Sequence, residues 1–271
     1  MTRFVFMISD GTGITVESLG HSLMTQFENI TFEKKIIPYV DTPEKAQAVT
    51  AELNACTKTS GTKAIAFITL VDPEISTYIK QADACVLDLF STFVAPLEQE
   101  LGTKSSYTVG RTHRVENIAS YDQRIEAINF ALAHDDGLKL KEYEQSDIIL
   151  IGVSRCGKTP SCLYMALQFG VMAANYPFTD DDLSDFMLPN SLKAYKKKLF
   201  GLTIDSERLQ HIRTERRPNS QYASMEQCRL EVSEVENMYR REKIPYLNST
   251  RYSIEEIVTR IMAIASIKRK I

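Results

Sequence analysis

Gly152-Val153-Ser154-Arg155-Cys156-Gly157-Lys158-Thr159, preceded by Ile148-Ile149-Leu150-Ile151, is the stretch on which the fold turns. Its spacing is G-x-x-x-x-G-K-[ST], the phosphate-binding loop that joins a buried strand to a helix. Two glycines let the backbone curl so that successive N–H groups turn inward toward phosphate oxygens. A helix starting near Thr159-Pro160 would add the positive end of its dipole at the same point. Pro160 suits that first turn, where its missing N–H has no intrahelical partner to lose. Lys158 would reach the terminal phosphate of a bound nucleotide, and the Thr159 hydroxyl would ligate Mg²⁺. Gly152, Val153, Ser154, Arg155, Cys156, Gly157, Lys158 and Thr159 are therefore the expected nucleotide-binding residues.

Outward from the loop, short β-branched runs alternate with helical patterns along the whole chain, which argues for parallel βαβ units. The second half reads as strands at 148–151, 171–175, 199–204 and 245–247, with helices at 181–186, 206–216, 224–242 and 253–267. An amphipathic run from Ser161 to Phe169 follows the loop itself. The first half reads as strands at 4–9, 35–40, 64–70 and 84–89, with helices at 16–27, 43–57 and 73–81. A further helix is expected at 121–133 with Ser120 as its N-cap. The polar stretch 134–145, which contains Gly137, reads as a linker. The expectation is an α/β protein of two doubly wound parallel-sheet domains, 1–145 and 146–271, the second kinase-like with a phosphate loop. Such sheets place ligands at the C-terminal ends of their strands.

A phosphoryl-transfer site also needs metal ligands and cationic clamps. Leu199-Phe200-Gly201-Leu202-Thr203-Ile204-Asp205 is an apolar strand ending in an acid, the form of a Walker-B segment. Asp205 fits two roles equally, a Mg²⁺ ligand or an N-terminal acid of the next helix. That helix carries Arg208, Arg213, Arg216 and Arg217, and Arg213 and Arg216 are the expected phosphate clamps; the competing role is a solvated face paired with Glu207 and Glu215. Ile244 to Thr250 is a strand running into a polar turn, either beside a base or simply leading to a helix capped by Ser253 and Glu256. Thr179-Asp180-Asp181-Asp182 has the spacing of a capping box, which is favoured there over an acidic metal cluster. In the first half, Ser9-Asp10-Gly11-Thr12-Gly13 follows the first strand and could present N–H groups to a phosphate or a partner's side chain. His21, His134 and His211 suit surface or packing roles, and the basic loop Gly110-Arg111-Thr112-His113-Arg114 suits either a phosphorylated or acidic partner or plain solvation.

Composition narrows the classes. The 271 residues suffice for one or two domains with sizeable cores. Hydrophobic content of 44% and charged content of 25% are ordinary for a soluble globular protein. A net charge of −3 speaks against a nucleic-acid binder. No apolar run approaches the ~18 to 20 residues that span a bilayer. Met1-Thr2-Arg3 before Phe4-Val5-Phe6-Met7-Ile8 is too short for a signal peptide and reads as a first strand. The five cysteines lack zinc-site spacing and are most simply reduced thiols. The expectation is a cytoplasmic protein with neither nucleic acid nor membrane as partner.

Ile8-Ser9-Asp10-Gly11-Thr12-Gly13, the phosphate loop through Pro160, Ala174-Asn175-Tyr176-Pro177-Phe178, Leu199 to Asp205, Arg213-Thr214-Glu215-Arg216 with Tyr222-Ala223-Ser224, and Tyr246-Leu247-Asn248-Ser249-Thr250 occur in this order. That combination, spanning nearly the whole chain, resembles the pyruvate, phosphate dikinase regulatory protein family. Cys156-Gly157 and Asn175-Tyr176-Pro177 are similar to its branch that regulates phosphoenolpyruvate synthase. The resemblance implies a bifunctional serine/threonine kinase and phosphorylase. ADP, in place of ATP, donates a phosphate to a threonine of phosphoenolpyruvate synthase, the protein substrate, and switches it off. Inorganic phosphate then removes that group and releases pyrophosphate. A loop that cradles two phosphates suits ADP with its β-phosphate at Lys158, and suits pyrophosphate as product; the choice of ADP comes from the resemblance alone. The acid that deprotonates the threonine is open between Asp205 and Asp10. Paired α/β domains in such regulators are compatible with a homodimer. Two other readings fit the second half taken alone. One is a small-molecule kinase using ATP, and the other a nucleotide-dependent switch that binds a partner without transferring phosphate.

Overall fold

The computed structural model describes residues 2–108, 118–137, 139–179, 182 and 187–271, with the side chains of 118–120 left aside. The chain divides into two compact units, Met1–Arg114 and Val115–Ile271. Each is built on a four-stranded parallel sheet flanked by helices. Among the described residues, no helix is long and apolar enough to cross a membrane.

In the first unit the order is β1 (Thr2–Ser9), α1 (Ile14–Met24), β2 (Thr31–Ile37), α2 (Pro43–Ser60), β3 (Ala64–Thr69), α3 (Pro73–Lys80), β4 (Ala84–Asp88) and α4 (Leu89–Leu101). The strands lie in the order β2-β1-β3-β4. Successive side chains of a strand point to opposite faces. Accordingly Phe6 and Ile8 of β1 join a core under α2 and α3, while Val5 and Met7 join a second one with Val16 and Met24 of α1. Burial on both faces is why β1 is a continuous apolar run. Strand β2 comes earlier than the 35–40 expected, pairing from Thr31 against Thr2 and ending before Pro38, which has no N–H to give a ladder. Helix α4 was not anticipated. It follows β4 without a loop, is capped by Asp88, whose carboxylate accepts from the Ser91 N–H at 2.9 Å, and runs through Pro96, normally a helix breaker.

The second unit runs α5 (Ile118–Ala133), β5 (Ile148–Gly152), α6 (Lys158–Phe169), β6 (Ala173–Pro177), a single turn at Asn190–Lys193, β7 (Leu199–Thr203), α7 (Ser206–Arg216), α8 (Met225–Glu242), β8 (Tyr246–Asn248) and α9 (Ile254–Ile264). Its strand order is β6-β5-β7-β8, so the strand leading into the loop is central. Ile148, Ile149, Leu150 and Ile151 are fully buried at the centre of one continuous core. Both expected capping boxes form. Ser253 and Glu256 cap α9 reciprocally. The Thr179 N–H donates to Asp182 at 2.9 Å and the Asp182 N–H to the Thr179 hydroxyl at 3.3 Å. The helix expected at 181–186 lies largely outside the described residues, as does the basic loop 110–114.

Two expectations about the middle of the chain are corrected. Ser120 lies within helix α5 (Ile118–Ala133) and is not its N-cap. The stretch 134–145 is no open linker: it forms two 3₁₀ turns, Asp135–Gly137 and Leu140–Gln145, packed on the second sheet. His134 and Tyr143 are buried. The His134 ring stacks on Phe130 at 3.9 Å, and the Tyr143 hydroxyl donates to the Asn175 carbonyl at 2.8 Å. Polar residues needed for the tight turns disguised a packed segment, and α5 with its following turns belongs to the second unit rather than the first.

Candidate functional site

The quoted loop connects β5 to α6 at the C-terminal edge of the second sheet. Its backbone needs its glycines. Gly152 has φ +155°, and a Cβ there would stand 2.3 Å from the Leu202 carbonyl oxygen on the neighbouring strand. Gly157 takes φ +96° as the residue before the helix, a left-handed conformation that glycine adopts without penalty. Arg155 also has positive φ, 79°. The Lys158 ammonium is buried and folds back on its own loop, donating to the carbonyls of Gly152 at 2.9 Å and Val153 at 2.8 Å. Ser249, in the turn after β8, donates to the Cys156 carbonyl at 2.9 Å, so that turn braces the loop. Burial pushes the Cys156 thiol upward, against the pull of Lys158, and keeps it protonated at neutral pH.

A cavity of about 740 Å³ opens over the loop. Ser154, Arg155, Gly157, Lys158 and Thr159 of the loop line it, together with Asp135, Asp136, Arg216, Arg217 and Tyr222. Arg155, Arg216 and Arg217 form no salt bridge among the described residues, and their side chains border the cavity together with the carboxylates of Asp135 and Asp136. Guanidinium forks of this kind match phosphate oxygens.

The structure separates the two arginines expected to act as clamps. Arg216 lines the cavity, whereas Arg213 is fully buried and serves as a strut. Its guanidinium grips Glu231 of α8 with two bonds, of 2.9 and 2.6 Å. It also donates to the Tyr222 carbonyl at 3.0 Å and the Ser154 carbonyl at 3.3 Å, and lies over the Tyr222 ring at 4.1 Å. The Tyr222 and Ser154 hydroxyls are 3.1 Å apart. Helices α7 and α8 are thereby fastened to the loop.

The acids are also redistributed. Asp205 occupies the N-cap position of α7 without a side-chain cap bond; its carboxylate accepts from the Asn248 amide at 2.7 Å, and it does not line the cavity. Asp10 belongs to the first unit, where it accepts from the Val71 N–H at 2.7 Å and burial raises its pKa above the usual carboxylate value. The acid beside Thr159 is Asp135, whose carboxylate receives the Thr159 hydroxyl at 2.8 Å. Asn175 contacts the same carboxylate through its side-chain amide and reaches the Thr159 hydroxyl at 3.2 Å. Asp135, Asp136, Arg217 and Tyr222 were absent from the sequence-based set of site residues. The signal available for Asp135 and Asp136 was Asp-Asp-Gly, two short acids before a glycine, which also describes a surface turn.

A family model described as kinase/pyrophosphorylase matches residues 5–262. A Legionella pneumophila (strain Lens) protein, provisionally named a phosphoenolpyruvate synthase regulatory protein, is 67% identical over 271 residues, covering 100% of both chains. Similarly named proteins from Hahella chejuensis and Marinobacter nauticus are 55% identical over 271 residues, again all of both chains, and 53% identical over 269 residues, 99% of each. With a match spanning both units, the chain belongs to the kinase/pyrophosphorylase family.

Proposed function

We propose that the cavity of the second unit holds ADP with its phosphates on the loop 152–159, and that the protein regulates phosphoenolpyruvate synthase in both directions. In one direction the β-phosphate of ADP passes to a threonine hydroxyl of the synthase, the P–O bond to the α-phosphate breaks, and AMP leaves. In the other, inorganic phosphate attacks the phosphothreonine phosphorus and pyrophosphate leaves, restoring the hydroxyl. The observation that carries this reading is the convergence of Arg155, Arg216 and Arg217, none of them in a salt bridge among the described residues, on a cavity that also contains the start of α6. An anion with several phosphate oxygens is what such a site neutralises. The names of the relatives support the synthase as target and the family description supports phosphoryl transfer with pyrophosphate chemistry, while ADP as donor rests on the resemblance drawn from the sequence motifs.

The residues take complementary parts. Lys158 would exchange its two loop carbonyls for phosphate oxygens, keeping charge-assisted bonds throughout. Arg216 and Arg217 would offset the charge that gathers on the transferring phosphoryl group. The Tyr222 wall and the Arg213–Glu231 strut hold the loop in place. Mg²⁺ fits the donor set, because the Thr159 hydroxyl is an oxygen ligand within the cavity and this cation takes oxygens while keeping waters. When bound it would supply charge neutralisation at the phosphates.

The test is incubation with phosphoenolpyruvate synthase and [β-³²P]ADP, followed by counting of the intact synthase. Label on a synthase threonine, absent with Lys158→Ala, is the expected result. Unlabelled synthase with ADP binding intact would overturn it in favour of a small-molecule kinase or a binding switch.

A further inference from the structure

The acid that partners the phosphate-loop threonine does not come from the strand–acid segment where sequence spacing looks for it. We propose that Asp135, together with Thr159, forms the protein side of a divalent-cation site in this cavity, and that Asp205 does not. The inference deepens the nucleotide reading above and rests on it.

The hydroxyl of Thr159 has one proton and two lone pairs. Its proton points to Asp135 Oδ1 at 2.8 Å, and the Asn175 amide takes one lone pair at 3.2 Å. One lone pair remains, on an oxygen that lines the cavity. Asp135 Oδ1 is fully engaged by Thr159 and Asn175, while no donor reaches Oδ2 among the described residues. The free lone pair of the Thr159 hydroxyl and the unpartnered Asp135 Oδ2 therefore belong to adjoining side chains, the second of them anionic, in a cavity whose lining also includes Asp136, Lys158 and three arginines. That is a hard-cation donor pair, and Mg²⁺ characteristically takes one or two protein oxygens and completes its shell with water and phosphate. No group of three or more His, Cys, Asp or Glu that could hold a metal by itself occurs among the described residues, so the phosphates have to complete this one.

The pair is held in place from behind. The Asp136 N–H donates to Asn175 Oδ1 at 3.2 Å, the Asn175 N–H donates to the His134 carbonyl at 3.2 Å, and Tyr143 caps the Asn175 carbonyl. Asp136 itself sits at φ +50°, bending the chain so that both acids border the cavity. By contrast, one oxygen of Asp205 is committed to Asn248, its N–H to the Thr250 hydroxyl, and the residue lies outside the cavity lining.

Mn²⁺, a paramagnetic stand-in for Mg²⁺, tests this directly. Binding is read from loss of the free-Mn²⁺ electron spin resonance signal on titration into full-length protein plus ADP, and ADP binding is measured separately in EDTA. Asp135→Asn is expected to weaken Mn²⁺ binding in the ADP complex by at least about tenfold while leaving metal-free ADP affinity within about threefold. Thr159→Val should also weaken Mn²⁺ binding, and Asp205→Asn should leave it at the wild-type value. Circular dichroism melts confirm that each variant folds; if Asp135→Asn is unfolded, Asp135→Glu, which moves the carboxylate outward by one methylene, replaces it with the same expectation. Wild-type Mn²⁺ affinity in the folded Asp135 variant, or a loss that falls on Asp205→Asn instead, overturns the assignment. Failure of wild-type protein to bind ADP at all would instead overturn the nucleotide reading.

Discussion

Lys158 and Arg213 are both buried cations of the second unit, and their partners give them opposite roles. Lys158 is held by neutral carbonyls of its own loop, which a phosphate can displace; Arg213 is held by a carboxylate in a two-bond grip, which a phosphate cannot readily displace. Lys158→Ala should therefore lower both ADP-dependent phosphorylation and phosphate-dependent release of pyrophosphate by about 10²- to 10³-fold. Label transfer and pyrophosphate formation measure the two, and survival of either at the wild-type rate would mean that two sites exist. Glu231→Gln should behave otherwise, leaving the Arg213 guanidinium buried without a counter-charge at a cost of about 3 to 5 kcal/mol. A urea unfolding curve checks this, and an unchanged midpoint would contradict the strut. The sequence speaks differently about the two residues. The loop lysine is announced by local spacing, while Arg213 and Arg216 are neighbours on one helix, and only the partner brought in by α8 separates strut from clamp. The place of Asp135 beside Thr159 was not anticipated for the same reason: β6 delivers Asn175 to its carboxylate.

Elements show the same division between local and delivered information. Helix α7 was expected at 206–216 and is found at Ser206–Arg216, because an acid at its start and a run of helix formers are local signals. Strand β2 and helix α4 were misplaced or missed, because a partner strand sets the register of one and the other carries an internal proline. The start of α4 depends on one carboxylate. Asp88 is partly buried, its side chain 8% exposed; burial alone would raise its pKa, but the ion pair with Lys80 at 2.6 Å and the bonds from Ser91 and Ser76 outweigh it and hold the value below 3.8. A carboxylate whose folded pKa is depressed contributes stability that is complete above its unfolded value and lost as pH falls toward the folded one. The urea midpoint should consequently decline as pH drops below about 4, and Asp88→Asn should flatten that decline while lowering the midpoint at pH 7. An identical acid limb in the variant would show that Asp88 carries none of it. In β7, Gly201 has a different constraint: a Cβ there would stand 2.6 Å from the Tyr239 ring, whose hydroxyl donates to the Ile151 carbonyl at 2.9 Å. Gly201→Ala should destabilise the second unit through displacement of that ring, seen as a lower melting temperature.

At the scale of the molecule, the boundary near 145 suggested by polar composition and the boundary at 114/115 found in the structure make different predictions about what folds alone. The second unit contains the entire core that includes the loop strand, from Ala127 and Phe130 of α5 through Tyr143 to the buried face of α9. It also contains every residue lining the cavity over the loop. A fragment of residues 115–271 should accordingly unfold in one cooperative step and bind ADP with an affinity within about threefold of the full chain. A fragment of 146–271 loses α5, which packs on α6, together with the buried Tyr143 ring and the Asp135 beside Thr159. Removing one fully buried aromatic side chain alone costs about 3 to 5 kcal/mol, a large share of the roughly 5 to 15 kcal/mol that stabilises a domain. With Phe130 and the rest of α5 gone as well, the shorter fragment should show no cooperative melt and no saturable ADP binding. Calorimetry and isothermal titration on the two fragments decide the point. Equal folding and equal ADP affinity in both would restore the boundary to 145 and remove α5 and the 134–145 turns from the second unit.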